Sequence, residues 1–155
     1  MKIYYREKSG GIEILRCFGI EGRVEIPGMI DGKLVISAAP YAFSSHMDEK
    51  EDLKNASLWE VSDGLEFGRE EHVLAGNDVE EIVFPYTLKE IGRYIFYGCG
   101  NLKTLEFSDS LMQIGCGAFT GCHALEKLTV HMRQGKKSGV KEMLGEMWQR
   151  IDEKF

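Results

Sequence analysis

A repeat of 23 residues is the feature that most constrains how this chain can fold. Ile91-Gly92 recurs as Ile114-Gly115, and Gly98-Cys99 recurs as Gly121-Cys122, in each case 23 positions later. Three apolar pairs keep the same spacing: Phe96 and Phe119, Leu102 and Leu125, Leu105 and Leu128. A fixed period of roughly 20–50 residues is typical of solenoids, in which each unit packs on its neighbours. The sequence therefore predicts a core that runs as a line of stacked layers.

The same step carries the pattern back toward the N-terminus. The positions of Leu102, Leu105, Phe107 and Leu111 are taken by Val79, Ile82, Phe84 and Leu88. One step earlier they are taken by Ala56, Trp59, Val61 and Leu65, with Val73 where Phe96 stands and Gly68 in place of an isoleucine. This predicts a degenerate coil over residues 53–78. A second register, through Leu53, Ala56 and Leu58, fits the spacing as well, and the two registers stay open.

The two ends of the chain follow other periods. Apolar residues alternate on either side of Ser9-Gly10-Gly11, which is typical of a β-hairpin, so residues 1–23 are predicted to form an N-terminal cap. In residues 138–155 apolar side chains recur at three and four positions, which predicts an amphipathic capping helix with Ser138 as its N-cap. Residues 24–130 are then expected to form about four coils, with an acidic insertion near residues 44–55.

The repeat resembles the BspA-type leucine-rich repeat of bacterial proteins. Its unit, IGxxAFxGCxxLxxLxV, is found at 114–130 and more loosely at 91–111, and VEIPGMIDGKLV at 24–35, followed by YAF, looks like the opening coil of that family. The chain departs from the family at Ala38-Ala39 and at Gly68-Arg69, where the family has Ile-Gly. Over residues 12–130 the resemblance implies a right-handed α/β solenoid with one short strand per coil in a continuous parallel sheet.

The outward side of that sheet is the candidate binding surface. In LKTLEF, Leu102, Leu105 and Phe107 are predicted to point inward, and Thr104 and Glu106 outward. Stacked coils would align the outward residues in columns. The candidate residues are Glu81, Val83, Thr104, Glu106, Lys127 and Thr129, preceded by Arg23 and Glu25. Leucine-rich repeat proteins usually bind partners on such sheets, so the resemblance implies a protein partner.

No motif of catalysis or metal binding accompanies the repeat. Cys99 and Cys122 are one repeat apart and are predicted to be buried free thiols, because a zinc site would need pairs at CxxC spacing. The histidines are scattered, and neither a nucleophile elbow nor an HExxH motif is present. The sequence therefore predicts no catalytic residue, no metal and no cofactor.

Charge and hydropathy narrow the partners further. The net charge is −6, and residues 44–81 hold twelve carboxylates against three basic residues, which disfavours nucleic acid. No run of about 18 apolar residues and no signal peptide is visible, so we expect a cytoplasmic protein, or a surface or secreted one if this is a piece of a longer chain.

Three functional hypotheses follow: a non-enzymatic protein-binding module, the recognition or adhesion domain of a bacterial surface protein, and a self-associating structural module. The oligomeric state stays open.

Overall fold

The computed structural model describes residues 1–62, 69–135, 139–145 and 151–154. The described strands are β1 (Lys2–Lys8), β2 (Gly11–Gly19), β3 (Arg23–Glu25), β4 (Met29–Ile30), β5 (Lys33–Ala38), β6 (Ser57–Glu60), β7 (His72–Val73), β8 (Glu81–Val83), β9 (Glu90–Ile91), β10 (Thr104–Ser108), β11 (Gln113–Ile114), β12 (Lys127–His131) and β13 (Ile151–Lys154). The described helices are α1 (Glu49–Asp52), a 3₁₀ turn at Gly76–Asp78, and α2 (Val140–Leu144). Together they form a solenoid of about five turns.

A five-stranded parallel sheet forms one side of the solenoid, in the order β13-β12-β10-β8-β3. Its register pairs Leu105 with Ile82 on one side and with Leu128 on the other, so positions one repeat apart are direct neighbours. The residues that the sequence places inside are buried: Val79, Ile82, Phe84, Leu88, Leu102, Leu105, Phe107, Leu125 and Leu128. The prediction of a parallel sheet, and of its inward face, is confirmed.

A second, mixed sheet forms the other side, in the order β11-β9-β5-β2-β1-β6. Strands β2, β5, β9 and β11 are parallel and come from successive turns. Strand β1 pairs antiparallel with β2 through a turn at Ser9 and Gly10, both at positive φ, which makes the hairpin that the first residues predict. Because β2 also pairs with β5, this hairpin lies against the first full coil.

The coil predicted over residues 53–78 is wrong. Strand β6 pairs antiparallel with β1, with Trp59 opposite Ile3, and Val73 lies in β7, antiparallel to β2. In the parallel sheet β3 pairs directly with β8, so no strand of this segment lies between them. Leu65 and Gly68 fall outside the described residues. The physical reason is that β1 would otherwise leave the backbone groups of its outer edge unpaired, and β6 pairs with them. The insertion is therefore longer than predicted.

The single C-terminal helix predicted over residues 138–155 is also wrong. Helix α2 ends at Leu144, where Gly145 adopts a φ of 53°, and β13 follows as a parallel partner of β12. Strand β13 pairs backbone groups that would otherwise be open at the edge of β12. Ser138, the predicted N-cap, lies outside the described residues, and Gly139 occupies the cap position of α2.

Stacked phenylalanines run along the core. Phe43 and Phe96 are completely buried and their ring centroids are 6.1 Å apart, and Phe119, only half-buried, lies 5.8 Å from Phe96. Cys99 and Cys122 are buried free thiols, as predicted, and Cys99 donates its S–H to the carbonyl of Phe43. Burial raises the pKa of Cys99 to about 12 and that of Cys122 to about 11, so both stay protonated at neutral pH.

Two glycines let the backbones of successive coils touch. A Cβ added at Gly115 would lie 2.1 Å from the backbone nitrogen of Arg93, and one added at Gly92 would lie 2.3 Å from that of Pro40. Real Cβ atoms do not approach a backbone so closely, and a backbone held by sheet hydrogen bonds has little room to shift. The Ile-Gly pair of each repeat is thus required by the spacing of the coils.

We expect Gly115→Ala to destabilise the protein by at least about 1–3 kcal/mol, because the added methyl group must push two coils apart. The free energy of unfolding from urea denaturation measures the effect. Gly28→Ala is the matched control: the nearest atom to its Cβ is 3.7 Å away, at ordinary contact distance, so its effect should be within about 0.5 kcal/mol. Equal effects of the two changes would contradict the close approach.

Phe96→Ala should lower the free energy of unfolding by about 3–5 kcal/mol, because it leaves a cavity between Phe43 and Phe119. Phe119→Ala should cost less, because that ring is only half-buried. Unfolding curves of both variants, compared in the same buffer, check this order, and a nearly neutral Phe96→Ala would reject the assignment of the core.

Candidate functional site

The structure places all the predicted binding residues at outward positions of one sheet, a side that we call the strand face. It is the outward side of β3, β8, β10 and β12. One column consists of Arg23, Glu81, Thr104 and Lys127, and the second of Glu25, Val83, Glu106 and Thr129. The last three residues of each column are 23 positions apart, so the repeat period predicts their alignment. The first residue of each column is out of phase because of the insertion before β8, and it joins the column because β3 pairs with β8.

Members of the strand face differ in how far they reach solvent. Arg23, Glu25 and Lys127 are exposed, while Glu81, Val83, Thr104 and Glu106 are half-buried. Thr129 is only 6% exposed, so its predicted exposure is wrong. Its side chain is short, and strands β10 and β13 pair with β12 on both sides of it.

The charges of the strand face are mixed in sign and partly paired. Arg23 Nη1 lies 3.6 Å from Glu81 Oε2 across β3 and β8. Glu106 makes a close contact with Nε2 of His131, from the next strand. The four side chains are between 38% and 61% exposed, so solvent screens both pairs and each stabilises the fold by no more than about 1 kcal/mol. A partner can therefore rearrange these pairs at small cost.

A polar column on the mixed sheet was missed by the sequence analysis. It consists of Glu13, Ser37, Glu90 and Gln113, which are direct neighbours in β2, β5, β9 and β11. Each of these residues directly precedes the Ile-Gly pair of its coil, or the two residues that stand in place of that pair. This shared position in the sequence could have predicted the column. A groove of about 260 Å³ lies beside the column.

Glu13 is the buried member of this column, at 2% exposure. It accepts hydrogen bonds from Arg6 Nε at 2.8 Å, Ser37 Oγ at 2.9 Å and Lys8 Nζ at 3.1 Å. Burial by itself would raise the pKa of Glu13, but the bonds from Lys8, Ser37 and Arg6 outweigh it and hold the pKa below its ordinary value of 4.5. The carboxylate is therefore charged at neutral pH and stabilises the hairpin against β5.

An aromatic column at the coil corners was also missed. Tyr41 and Tyr94 have positive φ values of 60° and 51°, which bulky residues rarely adopt, and their rings stack 5.7 Å apart. Gly117, at a φ of 67°, continues the column, and a Cβ there would lie 2.2 Å from the ring of Tyr94. Each residue stands two positions before a core phenylalanine, which was the signal in the sequence.

Neither a cluster of metal ligands nor a membrane-spanning helix is found in the part of the chain that the structure describes. No group of three or more His, Cys, Asp and Glu residues there could hold a metal ion. No helix there is both long and apolar enough to span a bilayer.

Comparison with known proteins supports the repeat assignment. A family model described as the BspA type leucine rich repeat region (6 copies) matches residues 70–139, which confirms the resemblance over that range. The crystal structure of a T. pallidum leucine-rich repeat protein is similar at 22% identity and a TM-score of 0.38, over 97% of this chain and 78% of that one. No curated protein matches the chain.

The hydrogen bonds to Glu13 predict a dependence of stability on pH. The pKa of Glu13 is lower in the folded protein than in the unfolded chain, so its ionised form stabilises the fold. This stabilisation is complete above about pH 4.5 and is lost as the pH falls through the folded-state pKa. Glu13→Gln should lower the unfolding free energy at neutral pH by about 1–3 kcal/mol and flatten its decline between about pH 5 and pH 3. Urea denaturation across this pH range, with exposed Glu126→Gln as control, is the measurement; an unchanged pH profile would contradict the assignment.

Proposed function

Because residues 70–139 match the family model of the BspA-type leucine-rich repeat, we propose that this protein is a non-catalytic module that binds another protein through the strand face. Leucine-rich repeat regions generally act as scaffolds for recognition, not as enzymes. The same surface would serve a recognition domain of a bacterial surface protein.

The observation that carries this proposal is the alignment of outward residues across four parallel strands. Neighbouring strands lie about 4.8 Å apart, so the columns span roughly 15 Å from β3 to β12. Their backbones are held on both sides in β8, β10 and β12, so little ordering entropy is lost when a partner binds. A rigid, evenly spaced row of side chains is suited to reading an extended surface.

The composition of the strand face favours a protein over a polyanion. The strand face carries two basic residues, Arg23 and Lys127, and three acidic ones, Glu25, Glu81 and Glu106. It therefore lacks the excess of positive charge that nucleic acid requires. Exposed pairs of opposite sign are instead what complementary protein surfaces exchange, and they affect the rate and specificity of association.

A triple variant of the strand face tests the proposal. Full-length protein is immobilised, partners are captured from native host extract and identified by mass spectrometry, and the purified partner is titrated against each form. Replacement of Glu81, Thr104 and Lys127 by alanine should weaken binding by roughly tenfold or more. A control with the same residue types, Lys89, Thr120 and Glu126 replaced by alanine, lies outside both columns and should leave affinity unchanged.

The comparison separates binding from folding. All three forms must show the same unfolding curve, since the six positions are outside the buried core. If the strand-face variant binds the purified partner as well as the wild type does, or if the control loses the partner instead, the strand face is not the binding surface.

Self-association is a second candidate, favoured by the open end of the parallel sheet. Among the described residues β3 pairs only with β8, so its other edge offers unpaired backbone groups to a second chain. Sedimentation over a range of concentrations tests this: growth in mass that Glu25→Pro, at an exposed position on the open edge, prevents supports edge pairing, while a monomer at all concentrations rejects it.

A further inference from the structure

A cleft of about 330 Å³ lies where the insertion leaves the solenoid. We call it the insertion cleft. Two basic residues, Arg6 and Arg93, and two acidic residues, Asp48 and Asp52, line it together. Tyr41 and Met47 also belong to its lining. Its volume is near the lower end of the range of small-molecule sites, roughly 300–1,000 Å³, so it suits a small ligand.

Three charged residues of the cleft have no partner of opposite sign in the part of the chain that the structure describes. Arg6 is paired with Glu13. Among the described residues, Arg93, Asp48 and Asp52 form no ion pair, although they line the same cleft. Within that part of the chain the Asp48 carboxylate accepts from the backbone N–H of Glu51, and the Asp52 carboxylate from that of Asp48. The cleft therefore contains groups of both signs that are not paired with each other, and each has capacity for a further charged hydrogen bond.

A buried arginine beside the cleft connects two segments of its lining. Arg16 is 2% exposed, and its Nη1 donates to the carbonyl oxygens of Tyr41, Ala42 and Ser44 at 3.1, 3.1 and 2.6 Å. Its Nε donates to Oε1 of Glu49 in α1 at 3.1 Å. One guanidinium thus joins the corner of the coil to the acidic helix, and the cleft is preformed without a ligand.

We propose that the insertion cleft binds a small zwitterion, a free α-amino acid or a short peptide, with its carboxylate on Arg93 and its ammonium on Asp48 and Asp52. A guanidinium binds a carboxylate through parallel hydrogen bonds, and an ammonium has three donors for two carboxylates. The apolar part of the ligand packs against Tyr41 and Met47. A purely anionic or purely cationic ligand would meet charged residues of its own sign in the same cleft.

The test uses the full chain and four probes in calorimetric titrations: L-leucine, leucyl-leucine, N-acetyl-L-leucine and L-leucinamide. The amino acid or the dipeptide should bind at millimolar concentration or below. The acetylated compound lacks the ammonium and the amide lacks the carboxylate, so each should bind roughly tenfold more weakly or not at all, as expected for loss of a charge-assisted hydrogen bond. Binding of the amino acid against the dipeptide decides which zwitterion is the ligand.

Variants test the carboxylate contact and the ammonium contact separately. Arg93→Gln should weaken the zwitterion by roughly tenfold and abolish its preference over L-leucinamide, while Arg93→Lys retains part of both. Asp52→Asn should weaken the zwitterion and abolish its preference over the acetylated compound. Lys103→Gln, an exposed charge change away from the cleft, should alter neither. Amide NMR spectra of each variant confirm the fold and show whether ligand shifts centre on residues 40–52 and 93.

Three results would overturn the proposal: no binding of either zwitterion at millimolar concentration, equal binding of a blocked compound, or an unchanged affinity in Arg93→Gln. None of them bears on the strand face, which lies on the parallel sheet, so failure here is distinguishable from failure of the proposed protein-binding function.

Discussion

The direct contact of backbones at the glycine corners is the constraint on which the rest of this solenoid depends. At Gly92 and Gly115 the space that a Cβ would occupy is filled by the chain of the preceding coil. Close stacking at the corner fits the strand spacing of both sheets, because each coil is hydrogen-bonded to its neighbours on both sides of the solenoid. It allows neighbouring strands to share hydrogen bonds in both sheets, and it places Phe43, Phe96 and Phe119 in contact within the core. The strand face inherits its regular spacing from the same contact.

The first coil lacks a glycine at this corner, and its structure is less regular. Ala39 stands at the position of Gly92 and Gly115, and the neighbouring strand β2 continues to Gly19, whereas β9 ends at Ile91. A methyl group therefore fits there, which accounts for the departure from Ile-Gly in the first coil. Arg16 lies on this longer strand and binds the carbonyl groups of the next corner. The insertion leaves the solenoid directly after that corner, so an irregular coil and the insertion cleft occur together.

The repeat period was a good guide to the regular half of the chain and a poor one elsewhere. It predicted the inward side of β8, β10 and β12, and it aligned Glu81 with Thr104 and Lys127, because identical units stack in identical registers. It assigned Trp59 to a coil because an apolar residue stood in phase. In the structure Trp59 pairs with Ile3, far away in sequence, and no local spacing contains that information. Likewise the helical pattern of the C-terminus did not show that an open edge at β12 would recruit a strand.

By itself, the sequence determined the solenoid, its parallel sheet and the composition of the strand face, since a repeated unit can bury its apolar residues only against copies of itself. The partners of residues outside the repeat were decided by tertiary structure: β6 on β1, β13 on β12, and Arg93 in one cleft with Asp48 and Asp52. The physical reason is that equivalent positions are related by the period, whereas the path of an insertion depends on which edges and carbonyl groups the solenoid leaves unpaired.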